Sequence, residues 1–339
     1  MNKLQLHNEF KQYKASSILI RVLTVISICI VISACSQRIA SSIEKAENFS
    51  FVDRITTERI EELGFKRTEY CLPDNKKCIS YYYGSPLVDN NLNYSATLGR
   101  GDRENIVKIN LNRDSLDRSY HGTVVLLHGF RTSKEFMLNS ALYFRFLGFQ
   151  VIVPDLLGHG DTGGKKKYGV DDSKYINSLI DNLVEEGVIK DENIYIVGSS
   201  LGALTATHIS SLRSDINGII LLAPMPQFDE AVYNYMKIDY PVLSRIIPER
   251  DIRKGAVIAL KRANIDLKDT NIQPLLKTSQ TPTLLILSNS DQVSPYANYK
   301  QLKKNNIKIF KVNGRYHPSM NTIGDVEHEA IIKWLNTTQ

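Results

Sequence analysis

Downstream of Gly122 the sequence alternates short apolar runs with segments of helical periodicity. Each apolar run is continuous rather than alternating, which is typical of a strand buried on both faces of a sheet. The runs are Thr123–Leu127, Gln150–Val153, Asn193–Val197, Gly218–Ala223, Thr283–Leu287 and Ile307–Val312. The helical segments are Lys134–Leu147, Asp172–Glu186, Leu201–Leu212 and Val326–Leu335. This order predicts an α/β fold with a mostly parallel sheet covered by helices on both faces.

Two stretches of the chain do not follow this alternation. Residues from about 225 to 280 are too many for a simple strand–helix connection, and their first part is dense in apolar and aromatic side chains. We interpret them as a helical cap inserted above the carboxyl ends of the strands, where such sheets bind ligands. Upstream, the polar segment Asp89–Tyr120 is expected to be irregular except for one strand at Ile106–Leu111.

A possible nucleophile lies between the strand ending at Val197 and the helix starting at Leu201. The string Gly198-Ser199-Ser200-Leu201-Gly202 has the form G-x-S-x-G, which carries weight only in this strand–turn–helix context. A sharp elbow needs small residues two positions before and after the serine, and Gly198 and Gly202 meet that need. Ser200 is therefore the candidate nucleophile, the alternative being a serine that only caps the helix.

A serine hydroxyl needs a base to take its proton and a carboxylate to orient that base. His317 follows the strand Ile307–Val312, and Asp291 follows the strand Thr283–Leu287. Both positions would overhang the sheet beside Ser200, in the chain order Ser, Asp, His. Asp229, after the preceding strand, is the alternative acid.

The backbone of two residues could stabilise the negative charge of a tetrahedral intermediate. Leu201 directly follows the candidate nucleophile. Phe130 follows Gly129 in the loop after Thr123–Leu127, where the glycine permits a tight turn. We expect the N–H groups of Phe130 and Leu201 to form an oxyanion hole and His128 to have a structural role.

The amino terminus is typical of an exported protein. A basic segment ends at Arg21, an apolar run follows from Val22 to Ala34, and Ile32-Ser33-Ala34-Cys35 resembles the lipobox of bacterial lipoproteins. We interpret residues 1–34 as a lipoprotein signal peptide, Cys35 as the lipidated residue, 35–60 as a tether or spacer, and 61–339 as the folded domain. The alternative is an uncleaved anchor helix starting near Ile18.

Either interpretation places the domain outside the cytoplasm, in the bacterial cell envelope. Two acyl chains on Cys35 would anchor it stably to a membrane. In a Gram-negative host, Ser36 after the cysteine favours the outer membrane. In such an oxidising compartment Cys71 and Cys78, which flank a turn-forming stretch between two strand-like runs, Lys66–Tyr70 and Ile79–Tyr83, are expected to form a disulfide.

Charge and composition exclude several function classes. The formal net charge of +6 falls to +3 without residues 1–34, whose own net charge is +3, and no basic stripe is interleaved with aromatic residues. We therefore expect no nucleic-acid partner. No metal-ligand cluster or phosphate-binding loop is visible, so no metal and no organic cofactor is expected.

From Gly122 to Leu335 the sequence resembles the α/β-hydrolase superfamily, and within it the lysophospholipase- and monoglyceride-lipase-like hydrolases grouped with the serine aminopeptidases. The resemblance depends on His128-Gly129-Phe130, on the stretch from Asp155 to Gly160, and on Ser200, Asp291 and His317. It implies a serine hydrolase without a cofactor. The His-Gly-Gly-Pro loop of prolyl aminopeptidases is absent, which speaks against peptidase activity.

The leading hypothesis is a carboxylic-ester hydrolase that acts through an acyl-enzyme on a lipid-like or small acyl ester. Amide, thioester or peptide hydrolysis by the same three side chains is the alternative among enzymes. A non-catalytic hydrolase-fold lipoprotein that binds ligands is the alternative outside them.

Overall fold

The computed structural model describes residues 35–49, 56–72, 77–190, 192–302 and 304–338. The predicted signal peptide, residues 1–34, lies outside them. The strands are β1 (Phe65–Cys71), β2 (Cys78–Gly84), β3 (Asn91–Arg100), β4 (Arg103–Asn112), β5 (Thr123–Leu127), β6 (Gln150–Pro154), β7 (Ile194–Ser199), β8 (Ile216–Leu222), β9 (Thr283–Ser288) and β10 (Ile307–Val312). The helices are α1 (residues 35–44), α2 (Thr57–Glu62), α3 (Leu138–Leu147), α4 (Asp172–Glu185), α5 (Leu201–Leu212), α6 (Phe228–Asp239), α7 (Pro241–Ile246), α8 (Glu249–Arg262), α9 (Gln273–Thr278) and α10 (Asp325–Leu335).

Eight of the described strands form one sheet in the order β1-β2-β6-β5-β7-β8-β9-β10. β1 and β2 run antiparallel to their neighbours, and the strands from β6 to β10 are parallel. The predicted α/β-hydrolase fold, a mostly parallel sheet between helices, is confirmed.

The central strands are wholly apolar because both of their faces are buried. Along β5, Val124 packs in one core cluster and Val125 in the other, and both side chains are inaccessible to solvent. The cluster that contains Val125 includes Leu204 of α5, and the cluster that contains Val124 includes Trp334 of α10. The strand boundaries predicted from the apolar runs differ from the observed ones by no more than two residues.

The strand predicted at Ile106–Leu111 lies within β4, but the expectation that the rest of the segment Asp89–Tyr120 is irregular is wrong. β3 and β4 form a two-stranded antiparallel hairpin outside the main sheet. β3 was not predicted because its composition is polar, although one of its two faces is buried or partly buried. Leu92 is buried while the asparagines beside it are exposed, and it lies opposite Leu111 of β4.

The predicted disulfide between Cys71 and Cys78 is confirmed. The two cysteines are opposite one another in the antiparallel pairing of β1 and β2. The bond therefore closes the end of this hairpin at the edge of the sheet.

Residues 35–60 were expected to serve as a tether or spacer, but the first ten of them pack onto the domain. α1 is amphipathic: Ser36, Ala40 and Ile43 are buried, whereas Gln37, Arg38 and Ser42 are exposed. The general polarity of the segment concealed this narrow apolar face.

Helices α6 to α9 are inserted between β8 and β9, in the segment interpreted from the sequence as a cap. Within the described ranges, no helix has the length and apolar character needed to cross a membrane.

Candidate active site

Ser200 lies at a strained turn between β7 and α5. Its φ of 51° is in the left-handed region, which is unfavourable for a residue with a side chain. A Cβ atom on Gly198 would collide with the backbone of Gly202, and one on Gly202 would collide with the carbonyl of Leu127. The turn is therefore possible only with small residues at both positions, as the elbow argument requires.

The structure brings Ser200, His317 and Asp291 together, although they are far apart in the sequence. His317 Nε2 lies 2.9 Å from Ser200 Oγ, and His317 Nδ1 lies 2.7 Å from Asp291 Oδ2. The Asp291 side chain is inaccessible to solvent, whereas that of His317 is 19% exposed. A histidine held in this way can take a proton from the serine while the carboxylate fixes its tautomer.

Backbone donors orient the carboxylate of Asp291. Its Oδ1 accepts hydrogen bonds from the N–H groups of Val293 and Ser294, each at 2.8 Å, which leaves Oδ2 for His317. The hydroxyl of Ser294 donates to the carbonyl of Pro224 and thereby ties this loop to the end of β8.

The loop that carries His317 is held by two residues that sequence reasoning missed. Asn105 of β4 accepts a hydrogen bond from Tyr316 N at 2.7 Å and donates one to the Gly314 carbonyl at 2.8 Å. Arg315 forms a 2.8 Å ion pair with Glu327 and donates to the carbonyl of Thr322. No sequence pattern pointed to Asn105, because the hairpin that carries it was not predicted. Arg315 lies two residues before His317 and could have been noticed from that position.

The loop after β5 lies against Ser200. A Cβ on Gly129 would be 3.5 Å from the Cβ of Ser200. His128 fixes this loop internally: its Nδ1 lies 2.8 Å from the Gly129 carbonyl, and its Nε2 accepts a 3.0 Å hydrogen bond from Leu156 N. Because burial lowers the pKa of His128 to about 4, the ring is neutral, as this pair of hydrogen bonds requires.

Helix α6 of the inserted segment spans the site. At one point Arg131, next to Phe130, donates to the Tyr235 hydroxyl at 2.9 Å. At another, Asn234 donates to the carbonyl of Val293, in the loop of Asp291. The helix thus contacts the loops on both sides of Ser200, and Ser200 retains only 8% of its accessible surface.

Aromatic rings surround the loop of Phe130. The Phe130 ring packs against those of His159, Tyr168 and Phe228, with centroids 5.8 to 6.2 Å apart. Tyr168 and Phe228 are also in contact with each other, at 5.0 Å. The side of the site next to the predicted oxyanion hole is therefore apolar.

Asp229, the alternative acid, points elsewhere. It forms a 3.1 Å ion pair with Arg253 of α8. Among the residues that the structure describes, no group of histidine, cysteine and acidic side chains is arranged to hold a metal ion.

Comparisons with known proteins agree with this architecture. A family model described as serine aminopeptidase, S33, matches residues 118–275. Among curated proteins, "Putative esterase YitV" of Bacillus subtilis is 26% identical over 187 residues, which are 51% of this chain and 70% of YitV.

Solved structures with the same fold include an esterase of Pyrococcus furiosus. It is 17% identical, covers 82% of this chain and 93% of its own, and has a TM-score of 0.58. A structure described as a membrane phospholipase A and bacterial virulence factor is 15% identical, with a TM-score of 0.50, and the match covers 97% of this chain and 99% of that one.

Proposed function

We propose that this chain, a serine hydrolase of the α/β-hydrolase superfamily that acts on ester bonds, cleaves a lipid-like or small acyl ester through an acyl-enzyme on Ser200. The observation that carries the proposal is the chain of hydrogen-bond distances from Ser200 Oγ through His317 to Asp291, at a turn that places Ser200 at the amino-terminal end of α5.

In the first half of the reaction, Ser200 Oγ attacks the ester carbonyl carbon while His317 Nε2 takes the hydroxyl proton. Asp291 stabilises the imidazolium that forms, and the N–H groups of Phe130 and Leu201 bind the oxyanion. The tetrahedral intermediate then collapses: the bond to the leaving alkoxide breaks, and His317 returns its proton to that oxygen.

In the second half, water replaces the alcohol. His317 takes a proton from the water as its oxygen attacks the acyl carbon, and the bond to Ser200 Oγ breaks with transfer of that proton to the serine. The products are a carboxylic acid and the free enzyme.

Three observations favour an acyl ester as the substrate. The side of the site near Phe130 is apolar and aromatic, and α6 of the inserted segment contacts the loops on both sides of Ser200. The relatives YitV, the Pyrococcus esterase and the membrane phospholipase A carry names of ester hydrolases. The match to the S33 family keeps peptide hydrolysis as the second candidate.

The test compares two adjacent serines. Ser200→Ala should lower kcat/KM for ester substrates by about 10⁴-fold or more and abolish labelling by a fluorophosphonate, since it removes the nucleophile. Ser199→Ala, one residue earlier on β7, should retain both. Undiminished labelling of Ser200→Ala would refute the assignment, and a panel preferring anilides or peptides over esters would favour the second candidate.

We also propose that a lipid on Cys35 anchors the mature protein to a membrane of the cell envelope. Cys35 is a free, partly exposed cysteine at the start of α1, directly after the apolar run of the amino terminus. Cys35→Ser should abolish incorporation of labelled palmitate. Equal incorporation into both proteins would show that the lipid is elsewhere.

A further inference from the structure

Exposed apolar side chains are concentrated on one short helix. Nine large apolar residues among those described are exposed, and four of them, Tyr240, Val242, Leu243 and Ile246, lie in or next to α7. Ile246 is 72% and Val242 64% exposed. No residue of α7 is buried, so the helix leaves its apolar side chains in contact with water.

Basic side chains lie around this apolar group. Lys237, Arg245, Arg250 and Lys254 are exposed. The exposed acidic residues of the same stretch are Asp239 and Glu249, and Glu249 is paired with Arg253 at 2.7 Å. Arg250 also lies 3.8 Å from Asp251, but the exposed Lys237, Arg245 and Lys254 leave an excess of positive charge around α7. An apolar helix with this excess beside it is complementary to a bilayer that contains anionic lipids.

The amino-terminal helix packs on α8, the helix that follows α7. A Cβ on Gly255 of α8 would collide with the side chain of Ile39, and it would lie 3.0 Å from the carbonyl of Ser36. Arg262, further along α8, forms a 3.0 Å ion pair with Glu44. α1 is therefore packed across α8, not held away from it.

This packing fixes the position from which the membrane anchor would extend. Ser36 lies at Gly255, and the six residues from Gly255 back to the start of α8 at Glu249 span about 9 Å of helix. α7 ends at Ile246, just before that point. The residue after Cys35 therefore contacts α8 less than two helical turns from the end of α8 that follows α7.

We propose that the α7 face, defined as α7 together with Lys237, Arg245 and Arg250, docks onto the surface of an anionic lipid bilayer. α1 holds the anchored residue beside this face, so the inserted segment above Ser200 is turned toward the membrane. The evidence for this binding surface is the exposure of the apolar side chains of α7 and the positive charge around them. The orientation set by Cys35 rests on the proposed lipid anchor, and the consequence that acyl esters reach Ser200 from the bilayer rests on the proposed function.

The experiment measures contact between α7 and lipid through a new tryptophan. The full chain is reconstituted in vesicles of phosphatidylethanolamine and phosphatidylglycerol, with or without bromine on the acyl chains as a fluorescence quencher. The native protein has one tryptophan, Trp334, which is 4% exposed in the core and gives a constant background. Ile246→Trp is compared with Val88→Trp, a control at a side chain that is 93% exposed outside the inserted segment.

Brominated lipid should reduce the emission added by Ile246→Trp about twofold, because an interfacial helix reaches the boundary of the acyl chains. The emission added by Val88→Trp should be unchanged. Replacing phosphatidylglycerol by phosphatidylcholine, or introducing Arg245→Ser with Arg250→Ser, should weaken the quenching.

Equal quenching at both positions, or none at either, would overturn the proposal. The proposal would also be overturned if the Ile246→Trp emission were unaffected by brominated lipid but changed with protein concentration, since a second copy of the chain would then cover α7. The measurement requires no turnover and should give the same result in the Ser200→Ala background. A failure of the proposed function is therefore distinguishable from a failure of the docking face.

Discussion

Asp155 and Asp291 occupy similar places on opposite sides of Ser200 but have different partners. Each follows the carboxyl end of a parallel strand, β6 or β9, and each of these strands is two places away from β7 in the sheet. Asp155 accepts a 2.6 Å hydrogen bond from Lys134 Nζ, whereas Asp291 is 2.7 Å from His317 Nδ1. The partner, not the position of the aspartate, separates a structural ion pair from a group that can support proton transfer.

In the pair Lys134–Asp155 the lysine is held in its charged form, although burial raises the pKa of Asp155 to about 6. Both side chains are inaccessible to solvent. Burial alone would lower the pKa of Lys134, but Asp155 and Glu135 raise it above its usual value. By contrast, His317 is partly exposed and has its second nitrogen on Ser200.

Among replacements of these aspartates, Asp291→Asn is expected to have the largest effect on activity. The asparagine amide would donate to His317 Nδ1 and impose the tautomer that cannot accept the serine proton. We expect kcat to fall by about 10³- to 10⁴-fold, with a small change in the free energy of unfolding. Steady-state ester hydrolysis and denaturant unfolding measure the two quantities.

Asp229→Asn is the matched control for this change. Asp229 is bound to Arg253, so its replacement should alter kcat less than about threefold. A large loss in Asp229→Asn together with a nearly normal Asp291→Asn would reverse the assignment of the acid.

Lys134→Met should affect stability instead. It leaves the buried carboxylate of Asp155 without its cation, and breaking such a pair typically costs about 3–5 kcal/mol of unfolding free energy. Lys174→Met, at a lysine with 71% side-chain exposure, should cost less than about 1 kcal/mol. Equal unfolding free energies for the two variants would show that the buried pair contributes nothing specific.

Asp172 is a third buried aspartate, to be compared with Asp155 and Asp291. Its two carboxylate oxygens accept hydrogen bonds from the backbone N–H groups of Leu157 and Gly169. Burial raises its pKa to about 6, although these hydrogen bonds act in the opposite direction. The folded protein therefore retains a proton that the unfolded chain releases at lower pH, so this group loses stabilising effect as the pH rises from about 4 to about 6. Relative to Asp172→Asn, the native protein should lose up to about 3 kcal/mol of unfolding free energy over that range.

The neighbouring Asp171 provides a control of opposite sign. Burial tends to raise its pKa, but hydrogen bonds with Lys174 and Lys167 lower it overall. Its stabilising effect should be present above about pH 4 and be lost at lower pH. If the stability difference between native protein and Asp172→Asn did not change between pH 4 and 7, the raised pKa of Asp172 would be wrong.

Much of the fold could be predicted because local and tertiary preferences agree in the central sheet. A strand such as β5, buried on both faces, must be continuously apolar, and this pattern can be recognised in the sequence without knowing which strands lie beside it. The hairpin β3–β4 was missed because one side of each strand faces water and β3 carries polar residues that are uncommon in strands.

The site was only partly predictable. The glycines around Ser200 are required by a local turn, and the sequence therefore determined the position of the elbow. Asn105 and Arg315 fix the His317 loop through contacts with distant residues, which no local pattern records.

The sequence by itself determined the order of the parallel strands and their helices downstream of Gly122, the elbow at Ser200 and the cysteine pair, because each depends on neighbouring residues or on a short spacing. The sequence offered Asp291 and Asp229 as partners of His317, and only the tertiary structure decided between them, because the partners of both aspartates come from distant parts of the chain. The tertiary structure likewise decided that Asp155 meets Lys134. It also decided that α1 packs on α8 while α7 keeps its apolar side chains exposed, since both outcomes depend on which surfaces the folded domain leaves uncovered.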